Sequence, residues 1–158
     1  MIILAHNRRR IVRLDVTQHP TAVWLSQQVI EAFPWDTSPR FLLRDRDASY
    51  GFYFRNRVEA MGITKVLTAP RSPWQNAHVE RVIGSIRREY LDHIVIFNER
   101  HPRRVLSAYV DYYQGTRNHL SLRKDCPDSR PIRPPRIGKV IAIPKVGGLH
   151  HRYQRLAV

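Results

Sequence analysis

Apolar positions alternate along the chain between strand-like runs and helix-like spacing. Ile2–Ala5 and Ile11–Val16 are short apolar runs flanking His6-Asn7-Arg8-Arg9-Arg10, the pattern of a hairpin. Over Ala22–Phe33 the apolar residues Ala22, Val23, Leu25, Val29, Ile30 and Phe33 recur with a helical period. Pro34 and Pro39 bracket a loop, and Phe41-Leu42-Leu43 predicts a buried strand that ends in Arg44-Asp45-Arg46-Asp47. Tyr53–Met61 predicts a short helix stopped by Gly62, followed by a strand over Ile63–Leu67. Ser72-Pro73-Trp74-Gln75 is the strongest helix start, with a capping Ser, Pro at the first helical position and Gln three residues on; Asn76 competes as a cap one turn later. That helix carries Val79, Val82, Ile83, Ile86 and Tyr90 on one face. A last helix, after Pro102, buries Val105, Leu106, Tyr109, Val110 and Tyr113. Hairpin, helix, strand, helix, strand and two helices is an α/β order with a mixed sheet.

The pattern breaks near Leu120. Residues 120–158 hold Pro127, Pro131, Pro134, Pro135 and Pro144 with Gly138, Gly147 and Gly148, a spacing that no helix survives. The expected division is a core over 1–122 and an extended basic Pro/Gly-containing tail over 123–158. Of the formal charge of +14, half falls before residue 120 and half in the last 39 residues. Such an excess points to a polyanionic partner. Of the 27 basic residues 23 are Arg, whose planar fork suits phosphate. One cysteine, Cys126, excludes a disulfide framework and a cysteine-based zinc module. No apolar run is long enough for a signal peptide or a membrane span, so the expected location is cytoplasmic.

Asp45 stands where a strand ends, a usual place for functional side chains in open α/β folds. Glu80 lies early in the strong helix, beside its apolar stripe rather than on it. Two carboxylates brought together in this way can hold Mg²⁺, which takes one or two carboxylates plus substrate phosphate. The plainer alternative is that Asp45 and Asp47 make local turns and salt bridges with Arg44 and Arg46. Trp74 is the aromatic best placed to touch a substrate, while Trp24 and Trp35 read as core anchors. His78, His150 and His151 lack companion ligands at metal-binding spacing.

Several ordered segments carry a resemblance. Asp45-Arg46-Asp47-Ala48-Ser49-Tyr50 and Asn76-Ala77-His78-Val79-Glu80-Arg81, with 34 residues between Asp45 and Glu80, resemble the second half of the DDE signature of retroviral integrases and bacterial insertion-sequence transposases. Ala69–Asn76 resembles the loop that enters the helix of the family's Glu. Tyr113-Gln114-Gly115-Thr116-Arg117-Asn118-His119-Leu120-Ser121-Leu122 resembles the stretch that closes the core of many transposases. The resemblance covers about residues 1–122. It implies an α/β ribonuclease H-like mixed sheet flanked by helices, Asp45 and Glu80 as catalytic metal ligands, and two Mg²⁺ or Mn²⁺ ions. It also implies DNA as partner, a bacterial, nucleoid-associated location, and DNA contact by the basic residues Arg87 and Arg88 after Glu80, whose plainer alternative is a solvated helix face pairing with Glu80 and nearby acids; Arg71 and Trp74 in the loop before Glu80, and Arg123 and Lys124 through the charge of the tail, are the further expected DNA contacts. The implied reaction is DNA cleavage and strand transfer for integration or transposition.

The sequence also departs from that pattern. Arg46 and Asp47 replace the usual Asn/Gln and Gly, and no Asp precedes Asp15, which matches the second strand of the family sheet rather than the first. The resemblance therefore implies a core whose first strand and first Asp are missing, impaired in catalysis, and completed by self-association or by an N-terminal segment. The alternatives are a non-catalytic remnant that binds DNA through its basic surface, and a ribonuclease H-like nuclease of another family.

Overall fold

The computed structural model describes residues 1–35, 37–98 and 100–156; the last two residues of the expected tail lie outside the described residues. The chain divides into two compact units, Met1–Leu4 with Ile11–Ile83, and Ala5–Arg10 with Gly84–Val158.

In the first unit, strands β1 (Ile2–Ala5) and β2 (Arg10–Leu14) pair as the expected hairpin. Its base is closed by Asp15 N donating to Met1 O at 3.1 Å and the amino terminus donating to Asp15 O at 2.7 Å. Helix α1 (Ala22–Ala32) starts where Thr21 Oγ1 accepts from Trp24 N at 3.2 Å, satisfying one orphan donor of the first turn. Strands β3 (Phe41–Arg44) and β4 (Thr64–Leu67) run parallel in the register Phe41↔Thr64 to Arg44↔Leu67, joined by helix α2 (Phe52–Ala60). Parallel strands need such a crossover because no tight turn can reverse the chain twice. Gly62, at φ 72°, ends α2 as expected: Ile63 N reaches back to Val58 O at 3.1 Å, a closure that favours a residue without Cβ. Leu25 and Val29 of α1, Phe54 and Val58 of α2, Ile3 and Ile63 form one buried cluster, with Trp24 packed against it.

Helix α3 (Ala77–Glu89) begins later than its sequence signal. Pro73–Asn76 forms a 3-10 turn without a side-chain cap at Ser72. The Gln75 side chain does not return to the Ser72 amide; its Oε1 accepts from Ala69 N at 2.7 Å and staples the preceding loop. The competing position, Asn76, is the one that adjoins the α-helix.

The second unit buries Ile86 and Tyr90 from the end of α3, and Val105, Leu106, Tyr109 and Tyr113 from helix α4 (Arg100–Gly115). Val110, expected in the core, is only half-buried. The segment read as an extended tail is folded. Strands β5 (Val140–Lys145) and β6 (His150–Arg155) pair antiparallel from Val140↔Arg155 to Lys145↔His150. Prolines and glycines exclude a helix there, but alternating half-buried and exposed residues on both sides of Gly147-Gly148 make a hairpin, and Pro144 is tolerated because a two-stranded sheet has only edges. The His150 ring stacks on Tyr112 with centroids 4.6 Å apart, and Cys126 is buried, its Sγ donating to Asp128 O at 2.8 Å.

Val146, Gly147 and Gly148 all hold positive φ in this hairpin's connection. At φ 90°, Gly148 lies where a β-branched side chain is strained even in open space. Gly148→Val is expected to lower the unfolding free energy by about 1–3 kcal/mol, read by urea unfolding.

The expected single mixed sheet differs from the observed arrangement. Among the described residues the six strands form three separate two-stranded sheets with four α-helices, a mixed α/β protein. Each pair is closed by its own local connection: tight turns for the two hairpins and a helix for the parallel pair. No described helix is long and apolar enough to cross a membrane.

Candidate functional site

In a parallel strand pair both C-terminal ends lie on one edge. Asp45 follows β3 directly, and the loop that follows β4 leads through Ala69–Asn76 into α3 and Glu80. The two candidate carboxylates are therefore carried by segments that leave the same edge of the first unit's sheet. Thr68 N donates to Arg44 O at 3.0 Å, and Arg46 Nε donates to Thr68 O at 2.9 Å, so the two strand ends are laced together beyond their ladder.

Asp45 is exposed, and its Oδ1 accepts from Asp47 N at 3.3 Å. Arg44, expected as a salt-bridge partner of the two acids, packs against aromatic rings instead. Arg44 is buried, with its guanidinium carbon 4.7 Å from the Tyr50 ring centroid and 5.9 Å from that of Phe54, and its Nη1 donates to Asp45 O at 2.7 Å. Burial lowers the Arg44 pKa and raises that of Tyr50, with Asp45 pushing Tyr50 up further. Asp47 is tied into its own turn: Oδ1 accepts from Ser49 N at 2.8 Å, and the hydrogen bonds from Ser49, side chain first and backbone second, hold its carboxyl below the usual range. The plain alternative thus holds for Asp47, through a Ser turn rather than an arginine pair.

Glu80 stands exposed in the first turn of α3, where a carboxylate complements the helix dipole, and it has no hydrogen bond or ion pair among the described residues. Trp74 is 69% exposed on the 3-10 turn that leads to it. Arg71, in the same loop, is exposed and holds left-handed backbone at φ 55°. Asp15 is engaged: its Oδ1 accepts from Val16 N at 2.7 Å, and Oδ2 lies 3.7 Å from Arg13. Trp35, expected as a core anchor, is instead 95% exposed, on left-handed backbone at φ 57°. Among the described residues no group of three or more His, Cys, Asp or Glu converges on a common point.

The remaining candidates belong to the second unit. Arg87 pairs with Asp92 at 3.5 Å, and the Arg88 guanidinium lies against Gly84, close enough that a Cβ there would meet it at 2.9 Å. Arg123 and Lys124 are exposed, on a turn with φ of 55° and 66°.

The stretch Tyr113–Leu122 has a structural task in this unit. Arg117 grips Glu89, at the end of α3, with Nε–Oε2 at 2.8 Å and Nη2–Oε1 at 2.6 Å. Tyr109 donates to the same carboxylate at 2.8 Å, and His150 Nε2 lies 3.0 Å from Glu89 O. His119 is buried edge-on against Tyr113 with centroids 4.6 Å apart. Burial pushes the Glu89 carboxyl up, but the bonds from Arg117 and Tyr109 outweigh it and hold the group below its ordinary value. Arg117 is raised in turn, chiefly by its hydrogen bonds to Glu89, and Tyr109 is raised by burial and by Glu89.

No curated protein matches this sequence. Residues 61–127 match the family model described as Integrase core domain, the catalytic core of DDE transposases and integrases; the matched region includes Glu80 and Tyr113–Leu122 and begins after Asp45.

Proposed function

We propose that this chain is a DDE-type core for DNA cleavage and strand transfer, impaired in that reaction by its shortage of carboxylates, with the parallel β3–β4 pair as its part of a ribonuclease H-like scaffold and Asp45 and Glu80 as carboxylate ligands of one Mg²⁺ or Mn²⁺. The observation that carries the reading is the parallel β3–β4 pair, which sends Asp45 and the Glu80-bearing segment out from one edge. The donor set suits one hard cation: both side chains are exposed oxygen donors, and Mg²⁺ uses one or two carboxylates, completing its shell with water and phosphate. It does not suit two ions, since no third carboxylate converges among the described residues. A bound ion supplies neutralisation of phosphate charge. Asp45 and Glu80 hold it, the Arg44 guanidinium beneath holds the Asp45 backbone, and Arg71 and Trp74 flank the route of the DNA. Arg87, Arg88, Arg123 and Lys124 add backbone contacts on the second unit.

A second reading, DNA binding without catalysis, is favoured by the same shortage of carboxylates together with the net charge of +14. Both readings require salt-sensitive, sequence-independent duplex binding, since each phosphate neutralised contributes about −0.9 to the log–log slope. The folded tail, with Cys126 buried and His150 stacked on Tyr112, makes wholesale deletion a poor probe. Charge removal is cleaner: Arg123→Ala with Lys124→Ala is expected to flatten the slope by about 2. Fluorescence anisotropy across a salt series measures this. Absence of any DNA binding at low salt would overturn both readings.

A further inference from the structure

Residues 122–133 and the β5–β6 hairpin enclose a groove of about 750 Å³ in the second unit. Its wall carries Arg123, Lys124, Arg133, Arg152 and Arg155. The acid in the lining, Asp125, is already satisfied, by Arg8 at 2.6 Å and by Ser129 Oγ at 2.7 Å, so it does not cancel that wall. Arg152 Nε is buried with no hydrogen-bond partner.

The cations are also held in place. Arg123 N donates to Leu120 O at 3.1 Å and Lys124 N to His119 O at 3.0 Å, fixing two consecutive left-handed residues. Arg133 Nη1 donates to Arg155 O, and Arg155 Nη1 to Gly138 O, both at 2.9 Å. Beside them Tyr153 is 65% exposed. Tyr153 and Arg155 are two residues apart on β6 and share one face, so ring and guanidinium alternate along the strand.

We propose that this groove binds single-stranded DNA, with phosphates on the Arg/Lys wall and a base stacked on Tyr153. The inference rests on the DNA-binding reading and adds the strandedness. A groove that combines cations with an open ring face suits a single strand, whose bases are free to stack; in a duplex those faces are already covered.

The test uses the full chain, a labelled fifteen-nucleotide oligo-dT and a fifteen-base-pair mixed duplex at equal salt, with anisotropy as readout. Tyr153→Ala is expected to weaken single-strand binding about five- to hundredfold while changing duplex binding less than twofold, and Tyr153→Phe is expected to keep it. Iodouracil oligonucleotide, photolysed on the unmodified chain, is expected to crosslink at Tyr153. Duplex binding without single-strand binding overturns the groove proposal and leaves the DNA reading standing. Equal losses on both DNAs with Tyr153→Ala, no loss at all, or a crosslink away from residues 122–133 and 150–155, also overturn it. Failure to bind either DNA overturns the DNA reading itself.

Discussion

In Mn²⁺ the 158-residue chain is expected to cleave duplex DNA no faster than its Asp45→Asn variant. Phosphoryl transfer with two ions needs a carboxylate that bridges them, so that charge on the attacking and leaving oxygens is offset together. Asp45 and Glu80 supply two ligands, no third acid converges with them among the described residues, and the two other candidates are engaged locally. Asp47 accepts from Ser49 N at 2.8 Å, and Asp15 accepts from Val16 N at 2.7 Å beside Arg13. Withholding about 4 kcal/mol of transition-state stabilisation slows the chemistry about a thousandfold. A nicking assay on supercoiled DNA measures this. Robust nicking that Asp15→Asn abolishes would make Asp15 the third ligand and overturn the expectation.

Arg117→Ala is expected to be the most damaging substitution for stability, costing about 3 kcal/mol. It leaves Glu89 partly buried with its charge unpaired, and breaking such a pair from one side strands a carboxylate that burial disfavours. Arg117→Lys is expected to recover less than half of the loss, because an ammonium cannot reproduce the two-pronged grip. Urea unfolding measures both, and a loss under about 1 kcal/mol for Arg117→Ala would contradict the account.

The same network sets a pH window. The Glu89 value is depressed on folding, so its contribution is complete above its ordinary value of 4.5 and is lost as pH falls through the folded value. His119 is lowered by burial and by the Arg117 charge, so its contribution is complete above 6.5 and lost on acidification. Tyr109 is raised, so its contribution is complete below 10.0 and lost on the alkaline side. Burial raises the Cys126 thiol from 9.0 in the same unit, so its contribution is lost above that pH, and stability of the second unit is expected to be flat from about pH 6.5 to 9 and to fall outside that range.

Local signals explain which parts of this arrangement the sequence reveals. Phe41-Leu42-Leu43 followed by four charged residues marks both the strand and its end, which is why Asp45 could be placed. Gly62 marks the end of α2 because its left-handed turn favours glycine. Where two local signals compete, the sequence is weaker: Ser72 and Gln75 form a capping pattern, yet Gln75 closes the loop at Ala69 instead. The prolines of the last quarter exclude a helix but say nothing against a hairpin, so β5–β6 was hidden behind a correct exclusion. The Arg117–Glu89 grip joins the end of α3 to a loop residue 28 positions later, and no periodicity announces it. Arg44 reads as a salt-bridge partner because Asp45 and Asp47 adjoin it in sequence, while the Tyr50 and Phe54 rings it packs against come from further along the chain.

The central claim, that Asp45 and Glu80 jointly hold one divalent ion, is tested most directly by Mn²⁺ titration of the whole chain, with free Mn²⁺ read by electron paramagnetic resonance. The account predicts one site, lost in both Asp45→Asn and Glu80→Gln while circular dichroism and thermal unfolding stay unchanged. Binding that survives either substitution at full strength, or two sites that survive both, would contradict it.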